Sequence, residues 1–261
     1  MPTRTLWRVL VPVMLVIIAI GAIAGLVVRA GASTAAVARG TAAAGPAADD
    51  GTGAGAQAAP EVAAEAAVDD AIRTPIRAVF LGDSITVGNS DLANGVLSPQ
   101  SWFYGLVDEE TDPMVYAGGV AENGRNTGWM AEHVDEALAL DPQLLVVLGG
   151  TNDIGAGLPA EETMANLRTI KAAADSAGVR MAVSTIPPLS DSDLGGRVDL
   201  VNATIRVFAA ESGALLLDTT TVLSDGQGGW RPGLTTDGIH PNEEGARLMA
   251  EAAAASLSTL E

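Results

Sequence analysis

Ala78-Val79-Phe80-Leu81, running directly into Gly82-Asp83-Ser84-Ile85-Thr86, is the stretch on which the architecture turns. Four apolar residues without polar alternation suit a strand buried on both faces, the pattern of a parallel sheet. Gly82-Asp83-Ser84 then breaks the strand, and Ser84 stands where a helix would start. A hydroxyl there lies near unpaired backbone N–H groups and the positive end of a helix dipole, which stabilise developing negative charge. Serine is equally a favoured helix cap. Taken alone, Ser84 therefore reads either as a cap or as a nucleophile.

Outward from this point the same alternation repeats. Short apolar runs at residues 114–117, 144–148, 181–184 and 214–217 predict four more strands. Between them, helical patterns are expected at 128–140, at 159–177, where Pro159 and acidic residues suit a first turn, and at 198–212, where Val201, Ile205 and Phe208 share a face. A last helix is expected at 242–257, capped by Asn242. Strand then helix, five times over, predicts an α/β fold: a three-layer α/β/α sandwich around a central, mostly parallel five-stranded sheet.

Such sheets bind ligands at the carboxyl ends of their strands. Three islands besides Gly82–Thr86 fall at that edge. Asn123-Gly124-Arg125-Asn126-Thr127 follows the second strand and Gly150-Thr151-Asn152-Asp153 the third. Asp237-Gly238-Ile239-His240-Pro241 follows the fifth, just before the final helix. Serine needs a neighbouring base to take its proton. His240 is one of only two histidines, and Asp237, three residues earlier, is placed to hold the imidazole in one orientation and tautomer. The oxyanion formed by attack on an ester needs donors already in position. The Asn152 side-chain amide, the Gly124 backbone N–H and the Ser84 backbone N–H are the candidates, with Gly119, in the run Gly118-Gly119-Val120, a rival to Gly124. Turn chemistry alone would also account for Asn152 and Gly124. Asp153 and Asp83 read as structural. His133, flanked by acids, reads as part of a solvated helix face with no role in chemistry.

These four blocks, in this order, resemble those of the SGNH (GDSL-type) hydrolase family, over about residues 76–257. The resemblance implies the flavodoxin-like SGNH fold, with Ser84 as nucleophile, His240 as base, Asp237 as its partner, and Ser84, Gly124 and Asn152 forming the oxyanion hole. It implies no metal and no cofactor. The second block departs most from the family pattern; Gly124 is preferred to Gly119 because Gly-Arg-Asn-Thr better matches the family's Gly followed by Thr. No Gly-x-Ser-x-Gly elbow surrounds Ser84, which argues against an ordinary α/β-hydrolase lipase.

Composition bounds the remainder. The absence of cysteine excludes disulfides, thiolate catalysis and zinc–sulfur sites. A net charge of -18 argues against nucleic-acid partners. Residues 1–8 form a short basic terminus, and Val9 to Val28 is a run of twenty uncharged residues, long enough at helical rise to cross roughly 30 Å of hydrocarbon. That length favours an uncleaved anchor over a cleaved signal, although Ala30-Gly31-Ala32 and Ala36-Val37-Ala38 would suit cleavage. Arg4 and Arg8 point to a catalytic domain outside the cytoplasm, at the cell membrane or secreted after cleavage. Gly21 and Gly25 have the spacing of a helix-dimer motif, a pattern that Ala- and Gly-rich segments also produce by chance. Residues 29–72, poor in large apolar side chains, are expected to be a flexible linker, and 73–261 the hydrolase domain.

The sequence therefore predicts a membrane-tethered extracytoplasmic serine esterase acting on short acyl esters, such as O-acetyl groups on carbohydrate or cell-envelope substrates. A lysophospholipase or thioesterase on longer chains is one alternative; a catalytically silent carbohydrate-binding module is another. Pocket walls are expected at residues 89–104, 187–197 and 223–236, the last a mobile loop carrying Trp230. Trp102, Phe103 and Tyr104 are candidates either for substrate stacking or for the core.

Overall fold

The computed structural model describes residues 75–108 and 113–258. The anchor and linker expectations, residues 1–72, lie outside these. Among the described residues no helix is long and apolar enough to cross a membrane.

In chain order the elements are strand β1 (Ile76–Gly82), the one-turn helix α1 (Ser84–Val87), β2 (Met114–Ala121), α2 (Thr127–Glu132), α3 (Val134–Leu138), β3 (Leu144–Leu148) and α4 (Thr151–Gly155). There follow α5 (Ala160–Ser176), β4 (Arg180–Ser184), α6 (Ser192–Ser212), β5 (Leu215–Leu217), α7 (Thr220–Leu223) and α8 (Glu243–Leu257). The five strands form one sheet in the order β2-β1-β3-β4-β5, and every pair is parallel. This is the order of flavodoxin-like doubly wound sheets, whose switch point lies between β1 and β3.

Each strand's period of two divides the core into two halves. Val79, Leu81, Leu145, Val147, Met181 and Val183 face one way, onto Met130, Val134, Leu167, Ile170, Val201 and Phe208 from α2, α3, α5 and α6. Ala78, Phe80, Leu144, Val146, Leu148 and Ala182 face the other way, onto Trp102, Phe103, Leu106 and the Met249, Ala253 and Leu257 side of α8. Here Trp102 and Phe103 are buried: the Phe103 ring stacks on Phe80 at 3.7 Å between centroids, with Trp102 edge-on to both. Each such ring contributes roughly 1.5–3 kcal/mol of burial. Of the two roles open to this aromatic pair, the core is the one they take.

Two helices differ from expectation for identifiable reasons. The helix expected at 128–140 is two helices, broken at His133. The His133 ring stacks on Trp129 at 4.0 Å, and its Nδ1 donates to the Trp129 carbonyl at 2.8 Å, so the side chain competes for a helix acceptor. His133 is thus half-buried against Trp129 rather than part of a solvated face. Helix α6 starts six residues earlier than the apolar spacing indicated, because the Asp191 carboxylate accepts from the Asp193 N–H and caps it there. The turns α1 and α4 are too short to show a period in sequence. Asn242 caps α8 as expected, accepting from Gly245 N–H at 3.0 Å.

Registration of the strands aligns the functional edge. Gly82 at the end of β1 lies opposite Leu148 of β3 and Ala121 of β2. Ser84, Asn152 and Gly124 each follow within a few residues of that line, so three separate islands are delivered to one place.

Candidate active site

Ser84 opens α1, whose cap is Asp83: the Asp83 Oδ1 accepts from Ile85 N–H at 3.0 Å. Ser84 is therefore the first helical residue and not the cap. The Ser84 hydroxyl donates to His240 Nε2 at 2.8 Å. On the other side of the ring, His240 Nδ1–H donates to Asp237 Oδ2 at 2.7 Å. A carboxylate can only accept, so this bond fixes the proton on Nδ1 and leaves Nε2 free to receive one.

The loop bearing Asp237 and His240 is closed on itself. Asp237 Oδ1 accepts from the backbone N–H groups of Ile239 and His240 at 2.9 and 2.8 Å. Thr235 Oγ1 donates to the His240 carbonyl at 2.7 Å and accepts from Gly238 N–H at 2.9 Å. Gly238 has φ +80°, and a Cβ there would lie 2.5 Å from Ser190 Oγ, so the turn requires glycine. Beneath it, Ser190 N–H and the Trp230 indole both donate to the Gly238 carbonyl, at 2.9 and 3.1 Å. Burial alone would raise the Asp237 carboxyl, but the hydrogen bonds from the His240 side chain and from the His240 and Ile239 backbone hold it well below the usual carboxylate range.

Asn152 projects from the start of α4. Its amide donates to Asp83 Oδ2 at 3.1 Å and to the Arg125 carbonyl at 2.9 Å. Both amide protons are therefore engaged, and an oxyanion would compete with the Arg125 carbonyl for one of them. Gly124 adopts a left-handed conformation, φ +79°, with open space around its α-carbon. Neither its N–H nor that of Ser84 donates to any described group. Gly119 instead lies inside β2 opposite Phe80, hemmed by Leu92 and Tyr116, and takes no part in the site.

Asp83 and Asp153 are buried supports. Burial pushes the Asp83 carboxyl up to about 7, against the lowering influence of the Ile85 N–H, His240 and the Asn152 amide. Asp153 accepts from the Thr127 N–H at 3.0 Å, from the Thr127 hydroxyl, and from Thr163 Oγ1 at 3.1 Å, tying the second and third islands together.

All five predicted residues, Ser84, Gly124, Asn152, Asp237 and His240, border one cavity of about 540 Å³. Its walls also include Asn89, Gln100, Asn123, Thr151 and Asn242. Of the expected walls, 89–104 supplies Asn89 and Gln100 and 223–236 supplies Thr236, whereas 187–197 needs correction, as does the place of Trp230. Residues 187–197 do not border it: Ser190 lies under the Gly238 turn and α6 takes over from Ser192. Trp230 is 8% exposed and buttresses the histidine loop from behind, so it is core, not a mobile wall. Thr151, a member of the third island to which the sequence assigns no role, is buried at the cavity edge, and its hydroxyl finds no hydrogen-bond partner among the described residues. Among the described residues no three His, Asp or Glu side chains converge on a metal position.

The model of the GDSL-like Lipase/Acylhydrolase family matches residues 80–248. The chain belongs to this family. Its members are serine ester hydrolases, and the chain is one. Solved structures agree on the fold. A GDSL-like lipase from Bacteroides thetaiotaomicron VPI-5482 superposes with TM-score 0.59 at 19% identity, over 77% of this chain and 98% of its own. Axe2, an acetylxylan esterase from Geobacillus stearothermophilus, superposes with TM-score 0.59 at 18% identity, over 71% and 95%. No curated protein matches the chain.

Proposed function

We propose that this GDSL-like hydrolase is a membrane-tethered extracytoplasmic esterase that removes short acyl groups, above all O-acetyl, from carbohydrate or cell-envelope substrates. The observation that carries the chemistry is the unbroken line Ser84 Oγ, His240 Nε2, His240 Nδ1, Asp237 Oδ2, with bonds of 2.8 and 2.7 Å. Ser84 Oγ attacks the ester carbonyl as His240 takes its proton, and Asp237 stabilises the imidazolium. The carbonyl oxygen, now negative, is met by the N–H groups of Ser84 and Gly124 and by the Asn152 amide, which exchanges the Arg125 carbonyl for it. Collapse breaks the bond to the alcohol, which leaves with the proton from His240. Water, activated by the same base, then hydrolyses the acyl-serine and restores the hydroxyl.

The substrate class rests on the cavity lining. Five carboxamide side chains border it, Asn89, Gln100, Asn123, Asn152 and Asn242, against Ile85, Ile239 and Pro241 as apolar walls. Carboxamides both donate and accept, which suits hydroxyl-rich ligands better than alkyl chains. The acetylxylan esterase fold neighbour is in keeping with that reading. The apolar run Val9 to Val28 and its flanking Arg4 and Arg8 are what support tethering and exposure outside the cytoplasm.

The test is hydrolysis of p-nitrophenyl esters of rising acyl length by the full chain in detergent, beside Ser84→Ala. The expected result is a maximum at acetyl or propionyl and a loss of at least ~10⁴-fold in the variant. A maximum at decanoyl or longer would replace this reading with a lysophospholipase or thioesterase. Activity that survives Ser84→Ala would remove the serine mechanism.

A further inference from the structure

A second groove, of about 660 Å³, lies beside the catalytic cavity. Gln100 and Asn242 border both spaces, so these two side chains stand in the wall between them. That wall is fixed. Asn242 is held at both ends, accepting from Gly245 N–H at 3.0 Å and donating to the Gly233 carbonyl at 2.8 Å. Gln100 is held through its side-chain oxygen by the Asn89 amide.

We infer that this groove seats the alcohol half of the ester, and that the alcohol it fits is a neutral oligosaccharide. The inference rests on the esterase reading above and extends it to the leaving group. A short acyl group needs no more room than the cavity around Ser84 offers, so the larger neighbouring space is available to the other side of the scissile bond. Its chemistry selects among alcohols. Glu243 and Glu244, at the start of α8, are exposed on the rim. The cation beside them, Arg247, is already bound to Glu244 at 2.7 Å and also to Glu251. The rim is therefore net acidic, and it repels phosphate and carboxylate while offering acceptors to hydroxyl groups. Tyr104 adds an aromatic ring, and Gly105, exposed and without a side chain, keeps the groove open. A ring, carboxylate acceptors and carboxamides along one path make a surface for a pyranose chain, not for an anionic headgroup.

The experiment compares kcat/KM for O-acetylated xylo-oligosaccharides with kcat/KM for p-nitrophenyl acetate, using the full chain in detergent. Gly105→Trp and Glu243→Trp each place an indole in the groove. The expected result is that the oligosaccharide-to-nitrophenyl ratio falls at least tenfold in both. Glu243→Trp changes an exposed side chain and keeps the test open if Gly105→Trp, whose Cβ would meet Ala250 at 3.2 Å, does not fold. A ratio unchanged in the folded variants overturns the groove assignment while the esterase reading stands. Variants that slow p-nitrophenyl decanoate but not the acetylated oligosaccharide overturn it in favour of an acyl-chain groove. A wild type that cleaves no ester defeats both readings together.

Discussion

Two aspartates serve the one site from opposite environments. Asp83 ends the β1 side, is fully buried, and has its carboxyl pushed up to about 7 by that burial. Asp237 belongs to the histidine loop, has a side chain 50% exposed, and is held low by hydrogen bonds from His240 and Ile239. Asp83 touches Ile85 and Asn152, whereas Asp237 touches His240. The same side chain is thus scaffold on the sheet side and, in the proposed mechanism, part of the proton relay on the loop side. What separates the roles is burial and the identity of the partner, not the residue type.

Substitution should pull the two apart. Asp237→Asn presents an amide donor to His240 Nδ1, favours the wrong tautomer, and should lower kcat by about 10³–10⁴-fold with little change in Tm. Asp83→Asn keeps the acceptor for Ile85 N–H but sets one amide nitrogen against another at Asn152. A loss of about 10²-fold in kcat is expected, near that of removing one oxyanion donor. Equal losses in kcat and equal shifts in Tm for the two variants would erase the distinction.

The pH dependence of stability gives a second separation. Asp83 has its folded pKa raised from 3.8 to about 7. The wild type therefore binds this proton more tightly when folded, and its stability on this account falls as pH rises from about 4 to 7. Asp83→Asn does not titrate, so the wild-type advantage in Tm should shrink across that window. Asp237 is lowered, so its contribution is present above 3.8 and lost as pH falls below it. The Tm difference for Asp237→Asn should accordingly be flat from pH 4 to 7. Thermal melts of both variants at half-unit steps would reveal a shared slope if the assignment is wrong.

Smaller effects probe the two supports. Gly238→Ala adds a Cβ against the Ser190 side chain in a left-handed turn and should cost about 1–3 kcal/mol in urea unfolding, partly restored by Ser190→Gly, which removes both clashing atoms. On the sheet side, Thr151→Val removes a buried hydroxyl without a partner and should stabilise by about 1 kcal/mol. A destabilised Thr151→Val would mean that this hydroxyl is satisfied after all.

Much of this was legible in the chain. Leu144–Leu148 is continuous apolar sequence, and the strand has those same limits, because a strand between two others must bury both faces. The parallel order then forces every island onto the carboxyl edge, which is why Ser84, Asn152, Asp237 and His240 could be singled out without coordinates. Less was legible where contacts are tertiary. Trp230 sits among glycines and reads as loop, yet it packs into the core, with its indole N–H donating to the Gly238 carbonyl eight residues on. His133 breaks a helix through a ring stack that helical spacing does not encode. The claim of the Arg125 carbonyl on the Asn152 amide depends on backbone direction at a left-handed glycine, and no residue identity announces it.

Ser84 and His240 are separated by 156 positions and joined at 2.8 Å. Catalytic turnover is for that reason a report on long-range closure of the chain. During refolding the sheet's apolar strands can collapse and give helical and strand signal before the loop ahead of α8 docks, and such a species holds Ser84 without His240. Regain of activity should therefore lag behind regain of secondary structure, which makes this enzyme's own reaction a clock for the last step of its assembly.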